Sequence, residues 1–371
     1  MRVLHIASGD LWAGAEVMLY NLVRAQRRLP GMQVAVVVLN DGRLAHSLRD
    51  LGTSTVVLPE SRLGVGRLIQ AACAVMREFS PDIVHTHRVK EDLIGGVAAA
   101  LAGKARCVRT VHGLDEAGSS LRVRVSRSLH RVCVRRRFDA TYAVSRPLAE
   151  RLKATFGNER VRHIANGLDI EALSTGASAC TVDPFPIRIG IVGRLVPVKR
   201  QDLFLRMAAH LTQQAPDKFR FLIYGDGPLE ASLRDLARHL GIERVVHFEG
   251  FKSAMATEMR RLHLLYLTSD SEGLPMVALE AMALGVPVVA HAVGELPEVL
   301  EHGRCGTLIE VHEPASYAAA ALDYLAHRAP FIERAQRARE RVVRRYSAEA
   351  SARAYLQDYR RGLEPKLRPG G

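Results

Sequence analysis

Leu264-Leu-Tyr-Leu-Thr268-Ser-Asp-Ser-Glu272-Gly-Leu-Pro275-Met-Val-Ala-Leu-Glu280-Ala-Met-Ala283 reads as a buried strand, a polar turn and a helix. The apolar run is short, as in a strand covered on both faces of a parallel sheet. Gly273 and Pro275 mark the turn, and Pro is favoured where a helix begins. A helix that starts just beyond a strand end points free N–H groups at whatever binds there, which suits a diphosphate. Glu272 precedes the helix and Glu280 lies inside it, about 12 Å apart at the helical rise. That is roughly the distance between the two hydroxyl-bearing ends of a nucleotide sugar. Spacing alone fits two exposed glutamates on an ordinary helix equally well.

Similar units extend in both directions. The first half alternates the short runs Val3–Ala7, Val34–Leu39, Thr55–Leu58, Asp82–His87, Arg106–His112, Ala140–Ser145 and Val161–Asn166 with helix-like segments such as Ala15–Leu29 and Arg67–Phe79. After a small-residue, proline-containing stretch, a second series runs Ile187–Val192, Phe219–Tyr224, Val245–Glu249, Leu264–Thr268, Val286–Ala290 and Thr307–Ile309. The expected fold class is α/β, with two Rossmann-like doubly wound domains facing across a cleft. The expected boundaries are 1–175 for an acceptor-side domain, 176–186 for a linker and 187–345 for a nucleotide-sugar domain. Residues 346–371 are expected to form a helix crossing back to the first domain, followed by a polar tail.

Length supports two domains: 371 residues exceed one ordinary core. Charged residues make up 25%, a globular share that excludes a disordered chain. No apolar stretch reaches membrane-span length, and the N-terminus reads as a strand rather than a signal peptide. Five scattered cysteines without Cys-x-x-Cys point to reduced thiols and a cytoplasmic setting, with no zinc spacing. The net charge of +13 is uneven, with 26 Lys+Arg against 16 Asp+Glu in residues 1–180. The first half should therefore prefer an anionic partner.

Ser271–Ala290 resembles the signature of retaining glycosyltransferase family 4, which has the GT-B fold. The resemblance implies that Glu272 lies by the donor sugar and that Glu280 binds ribose. Gly273, Leu274, Pro275 and Met276 would join them in the donor site. Gly294-Glu-Leu-Pro-Glu-Val299 is similar to the family's Gly-Gly-Ile-Pro-Glu-Val, with Glu295 in place of the second Gly. That departure puts the local backbone, and donor preference, in question.

Gly190-Ile-Val-Gly-Arg194-Leu-Val-Pro-Val-Lys199 follows the first strand of the second series. Arg offers a fork of donors to phosphate oxygens and Lys a point charge. Cations placed on a departing diphosphate lower the barrier. The resemblance implies this role for Arg194 and Lys199. Ser8-Gly-Asp-Leu-Trp-Ala-Gly14-Ala-Glu16 lacks the dinucleotide fingerprint. It resembles the family's Gly-Gly-Ala-Glu loop, which brings Gly14 to the donor and Glu16 toward the acceptor. Thr110-Val-His112-Gly113 ends a strand, and the resemblance implies that His112 contacts the donor sugar near the reacting centre. Val84-His85-Thr86-His87 is similar to a further family stretch, with His85 and His87 facing either the acceptor pocket or the core. His247-Phe-Glu-Gly-Phe251 is also similar to a family stretch, and the resemblance implies that Phe251 lies near the nucleobase and diphosphate.

Leu121–Arg137 holds seven arginines and no acid. Arg124, Arg127, Arg131 and Arg135 share a helix face. The segment reads as a patch for an anionic membrane surface or as a solvated face. No motif points to nucleic acid.

The resemblance therefore implies a metal-independent, hexosyltransferase-type enzyme without a cofactor. It would move a sugar from a nucleoside-diphosphate donor to a hydroxyl of a glycan or lipid-linked acceptor, with retention. Polysaccharide or cell-envelope synthesis at the inner face of the cell membrane is the expected setting. The alternatives are a nucleotide-sugar epimerase of the same fold and a non-catalytic basic protein binding lipid or nucleic acid.

Overall fold

A computed structural model describes residues 1–9, 14–103, 105–113, 121–174 and 185–363. The chain forms two compact units, Met1–Gly167 with Ala348–Gly371 and Leu168–Ser347. Most of the expected linker lies outside the described residues.

In the first unit the elements run β1 (Arg2–Ala7), α1 (Gly14–Arg27), β2 (Gln33–Val38), α2 (Arg43–Asp50), β3 (Ser54–Val57), α3 (Val65–Phe79), β4 (Ile83–Thr86), α4 (Val89–Ala102) and β5 (Arg106–Val111). They continue with α5 (Leu121–Arg137), β6 (Phe138–Ala143), α6 (Arg146–Phe156) and β7 (Val161–His163). The seven strands lie in the order β3-β2-β1-β4-β5-β6-β7, and every pairing is parallel. Parallel neighbours need a crossover, which is why each strand is followed by a helix. The order reverses between β1 and β4, and the carboxyl ends of those strands are the usual ligand position.

The second unit opens with α7 (Ile170–Ser174) and β8 (Ile187–Val192), then α8 (Gln201–Gln214), β9 (Phe219–Tyr224), α9 (Glu230–His239), β10 (Val246–Gly250) and α10 (Met255–Met259). It continues with β11 (Leu264–Leu267), α11 (Met276–Ala283), β12 (Val288–His291), α12 (Leu296–Val299), β13 (Thr307–Ile309), α13 (Pro314–Ala326) and α14 (Arg328–Arg345). Its six-stranded parallel sheet, β10-β9-β8-β11-β12-β13, reverses between β8 and β11. The quoted strand–turn–helix stretch is β11 and α11. Strand β12 starts later than its apolar run because Pro287 has no N–H for the ladder; its carbonyl accepts from Leu265 instead.

Each sheet carries its own core. Phe204, Phe221 and Tyr266 meet edge to face in the second unit. In the first unit Tyr142 packs edge-on against Tyr355 of the last helix, α15 (Ala348–Leu363). Asp358 on α15 accepts from Tyr142 Oη at 2.6 Å and pairs with Arg106 and Arg162. These contacts fasten α15 to the first unit by polar as well as apolar means. No helix among the described residues is long and apolar enough to cross a membrane.

Candidate active site

In the second unit, polar side chains gather at the point where the strand order reverses. The chain leaves β8 through Gly193 and Arg194, makes a short 3-10 turn at Pro197–Lys199, and enters α8. Thr268 at the end of β11 donates to the carbonyls of Lys199 and Arg200 at 3.0 and 2.9 Å. Asp270 N–H donates to Val198 O. These bonds tie the β8 loop to the β11 loop and bring Lys199 over Glu272. Lys199 Nζ donates to Glu272 Oε1 at 2.6 Å, and Ser269 Oγ donates to the same oxygen at 2.6 Å. The Glu272 side chain is only 8% exposed, so its charge needs these donors. Arg194 is exposed, and its guanidinium has no hydrogen bond or ion pair among the described residues.

Glycines make this packing possible. A Cβ on Gly225 would lie 2.2 Å from Gly193 O, and one on Gly294 would lie 1.8 Å from Glu272 O. Gly294 also has φ +58°, where side chains are disfavoured. Glu295, the departure from the family pattern, has φ −86°. Any residue adopts that conformation, so the substitution costs the backbone nothing.

Pro275 caps α11 in an extended conformation and supplies no side-chain cap; the N–H groups of Ala278 and Leu279 donate to its carbonyl. Met276 opens the helix, with Gly273 and Leu274 in the preceding turn. Glu280 keeps some exposure, yet burial without a compensating partner raises its carboxyl to about 7. Phe251 is 71% exposed, and its N–H donates to Asp226 Oδ1. The sequence reading missed Ser269, and it missed His291 and His312, whose rings stack at 3.8 Å beside Asp270. The strand-end position of all three residues was the available signal.

In the first unit, β1, β4 and β5 bring four histidines together. His5 pairs in register with His85, and His87 and His112 lie just beyond the ends of β4 and β5. His85 has no exposed surface; its ring nitrogens lie 2.6 Å from Tyr359 Oη and 2.8 Å from Thr110 Oγ1. His87 Nε2 lies 3.1 Å from His5 Nδ1, and His87 Nδ1 lies 3.4 Å from His112 Nε2. His5 Nε2 lies 2.8 Å from Gln26 Oε1. Burial holds His5 and His112 neutral, with pKa values lowered to about 4, and pushes His85 and His87 well below the usual range. Nitrogens of His5, His85 and His87 come within 4.8 Å of one another, a spacing open to a metal ion. However, the His85 and His87 rings stack 24° from parallel, and both nitrogens of His5 and of His85 are already engaged. His5, His87 and His112 thus form a hydrogen-bonded chain that starts at Gln26, with His85 bonded beside it to Tyr359 and Thr110. His5 was legible as a polar residue inside an otherwise apolar strand, a signal the motif reading did not use.

Glu16 is 3% exposed and accepts from Arg88 at 2.7 Å, while its Oε2 has no partner among the described residues. Gly14 begins α1, and residues 10–13 of the preceding loop lie outside the described residues. On α5, Arg131 and Arg135 are exposed. The side chains of Arg124 and Arg127 lie outside the described residues.

Residues 12–172 match the family model described as Glycosyltransferase Family 4, and residues 183–344 match the one described as Glycosyl transferases group 1. The chain is 32% identical over 220 residues to D-inositol 3-phosphate glycosyltransferase 2 of Catenulispora acidiphila, covering 55% of this chain and 51% of the relative. It is 35% identical over 140 residues to N-acetyl-alpha-D-glucosaminyl L-malate synthase of Bacillus anthracis, covering 38% and 37%. The chain thus spans about half, or less, of the length of these curated relatives. Among solved structures, Anabaena Alr3699/HepE in complex with UDP superposes with a TM-score of 0.81 at 21% identity, covering 97% of this chain and 100% of that one. Sucrose-phosphate synthase from Thermosynechococcus elongatus superposes at 0.72 with 19% identity, covering 97% and 99%. At these identities the superpositions speak for the fold. With both units matched by family models and both sheets matched in architecture, the chain belongs to the GT-B glycosyltransferases of the family 4 type.

Proposed function

We propose that this chain transfers a sugar from a nucleoside-diphosphate donor to a hydroxyl of a glycan or lipid-linked acceptor, with retention at the anomeric carbon. The observation that carries the reading is the gathering of Arg194, Lys199 and Glu272 where β8 and β11 end, beside an uncapped helix start. In this reading Arg194 and Lys199 hold the diphosphate and neutralise the charge that builds on it as the glycosidic bond breaks. Glu272 and the turn Gly273–Met276 hold the sugar, Glu280 takes the ribose hydroxyls, and Phe251 lies by the base. His112 and Gly14 serve the donor from the first unit's residues, while Glu16 and His87 belong to the acceptor side and His85, enclosed between Tyr359 and Thr110, has the structural role.

Solved relatives were crystallised with UDP and with UDP-glucose, which makes UDP-sugars the first donors to test. A melting-temperature and product-release screen across UDP-, GDP- and ADP-sugars tests the reading. Absence of any shift and any turnover would sink it, and donor conversion without acceptor would favour an epimerase. Turnover is expected to persist in chelator, with the product anomer matching the donor.

We also propose a role in polysaccharide or cell-envelope synthesis, in the cytoplasm and peripheral to the inner face of the membrane. Exposed Val97 and Leu101 on α4 and exposed Val132 on the neighbouring α5 accompany Arg131 and Arg135. Apolar side chains beside arginines suit an anionic lipid surface. Liposome binding unchanged after Arg→Gln replacement at 124, 127, 131 and 135 would remove the membrane from the reading.

A further inference from the structure

Three of the four histidines, His5, His87 and His112, form a line of hydrogen bonds with a direction. An amide oxygen can only accept a hydrogen bond, so with Gln26 Oε1 at 2.8 Å the hydrogen of His5 sits on Nε2. A neutral imidazole has one hydrogen, which leaves Nδ1 of His5 as an acceptor. His87 Nε2, at 3.1 Å from it, must then donate. That leaves His87 Nδ1 to accept from His112 Nε2 at 3.4 Å. The last ring ends with a bare Nδ1, and this atom is buried without a partner among the described residues. A buried acceptor left unpaired costs about 1–3 kcal/mol, so it points to a group that arrives from outside the fold. His87 and His112 line a small cavity with Thr110, Asn166, Ser351 and Tyr355, which gives the chain's end a polar opening.

We propose that Gln26 is a positioning residue that fixes the tautomer of His112 through His5 and His87, so that Nδ1 of His112 offers its lone pair to a hydroxyl of the bound sugar. The functional half of this inference rests on the reading that His112 serves the donor sugar; the tautomer itself does not.

The direction holds only while the rings stay neutral, because a protonated ring donates from both nitrogens and erases it. Burial supplies that condition at all four histidines. The direction also needs the Gln26 oxygen, not its nitrogen, on His5. A turned amide would reverse every bond and make His112 Nδ1 a donor. In the structure Oε1 is the amide atom on His5, and Nε2 is buried with no hydrogen-bond partner among the described residues.

Long-range 15N–1H correlation spectra of the full chain at pH 7.5, with each ring assigned through single His→Gln variants, test the tautomers without any substrate. His5, His87 and His112 should each carry hydrogen on Nε2 and none on Nδ1. A hydrogen on Nδ1 of any of the three overturns the inference. Gln26→Met keeps the length and removes the acceptor. In this variant the single tautomer of His112 should give way to a mixture, and kcat/KM for the nucleotide sugar should fall roughly 2–10-fold, the loss of one hydrogen bond. An unchanged single tautomer in folded Gln26→Met overturns the relay, and unchanged kcat/KM overturns its functional half. If the variant does not fold, the wild-type spectra decide alone. If the wild-type chain turns over no nucleotide sugar, the functional half falls with the proposed activity while the spectra still judge the tautomer.

Discussion

Lys199 Nζ lies 2.6 Å from Oε1 of Glu272, a residue 73 positions away. The two side chains assigned to phosphate and to sugar are therefore paired with each other before a donor is present. A diphosphate beside Lys199 adds a second negative partner to a cation that already has one. Each charge offsets part of the solvation the other has lost, and the Ser269 hydroxyl supplies a further bond to the carboxylate.

Lys199→Met should remove diphosphate stabilisation and leave Glu272 without its cation. The expected loss is about 10²–10³-fold in kcat, the usual effect of removing one group that stabilises transition-state charge. The melting temperature should fall as well, because the largely buried Glu272 carboxylate keeps only the Ser269 donor. Nucleoside-diphosphate release assays read the first quantity and thermal melting the second. A loss below tenfold would take Lys199 out of the site.

Gly294→Ala should be costly although it adds one methyl group. The new Cβ would meet Glu272 O at 1.8 Å, and φ at +58° disfavours alanine. A destabilisation of about 2 kcal/mol or more is expected, with a fall in activity because the Glu272 backbone must move. Urea unfolding and kcat measured on the same preparation check both, and a neutral variant would contradict the packing described here.

Glu280 carries a carboxyl raised to about 7 by burial. The folded chain then holds a proton that the unfolded chain releases from about pH 4.5 upward. The contribution of Glu280 to stability should accordingly fall as pH rises from about 4.5 to 7, by an amount on the order of 1–3 kcal/mol, and is read as the difference between the parent and Glu280→Gln. Glu280→Gln should be more stable than the parent at pH 8 and no more stable at pH 4.5. It should also bind nucleotide more weakly. Equal stability differences at both pH values would exclude a raised carboxyl.

The histidine chain gives the opposite slope. His5 and His112 have pKa values of about 4 in the fold, against 6.5 when exposed, and His85 and His87 lie well below 6.5. Between pH 6.5 and 4 the unfolded state binds protons that the native state refuses. Their contribution is intact above pH 6.5 and is lost as pH falls through that window, on the order of 3 kcal/mol for His5 alone. Unfolding free energy measured in urea from pH 7 to 4.5 should drop steeply, and a flat profile would mean that the rings are charged in the fold.

Much of the architecture was legible because buried parallel strands write themselves as short apolar runs, and β8, β9 and β13 match their runs residue for residue. Strand ends were less legible. His87 and His112 were read as the last residues of strands and lie just past them, because a ladder stops where the chain turns to form a site. His5 and Gln26 carried no motif. Their role depends on strand neighbours and on a helix 21 residues away, and local sequence does not encode either.

The sequence by itself determined the repeating strand–helix order, the helix start at Met276 and the eight-residue interval from Glu272 to Glu280, because backbone periodicity and turn chemistry are local. Only the tertiary structure decided that Lys199 pairs with Glu272, that Gly294 lies against the Glu272 carbonyl, and that His5, His87 and His112 from three strand regions share one line of hydrogen bonds. The physical reason is sheet order. Parallel crossovers bring side chains from distant positions to the same strand ends, and which strands become neighbours is settled by packing, not by any single stretch of chain.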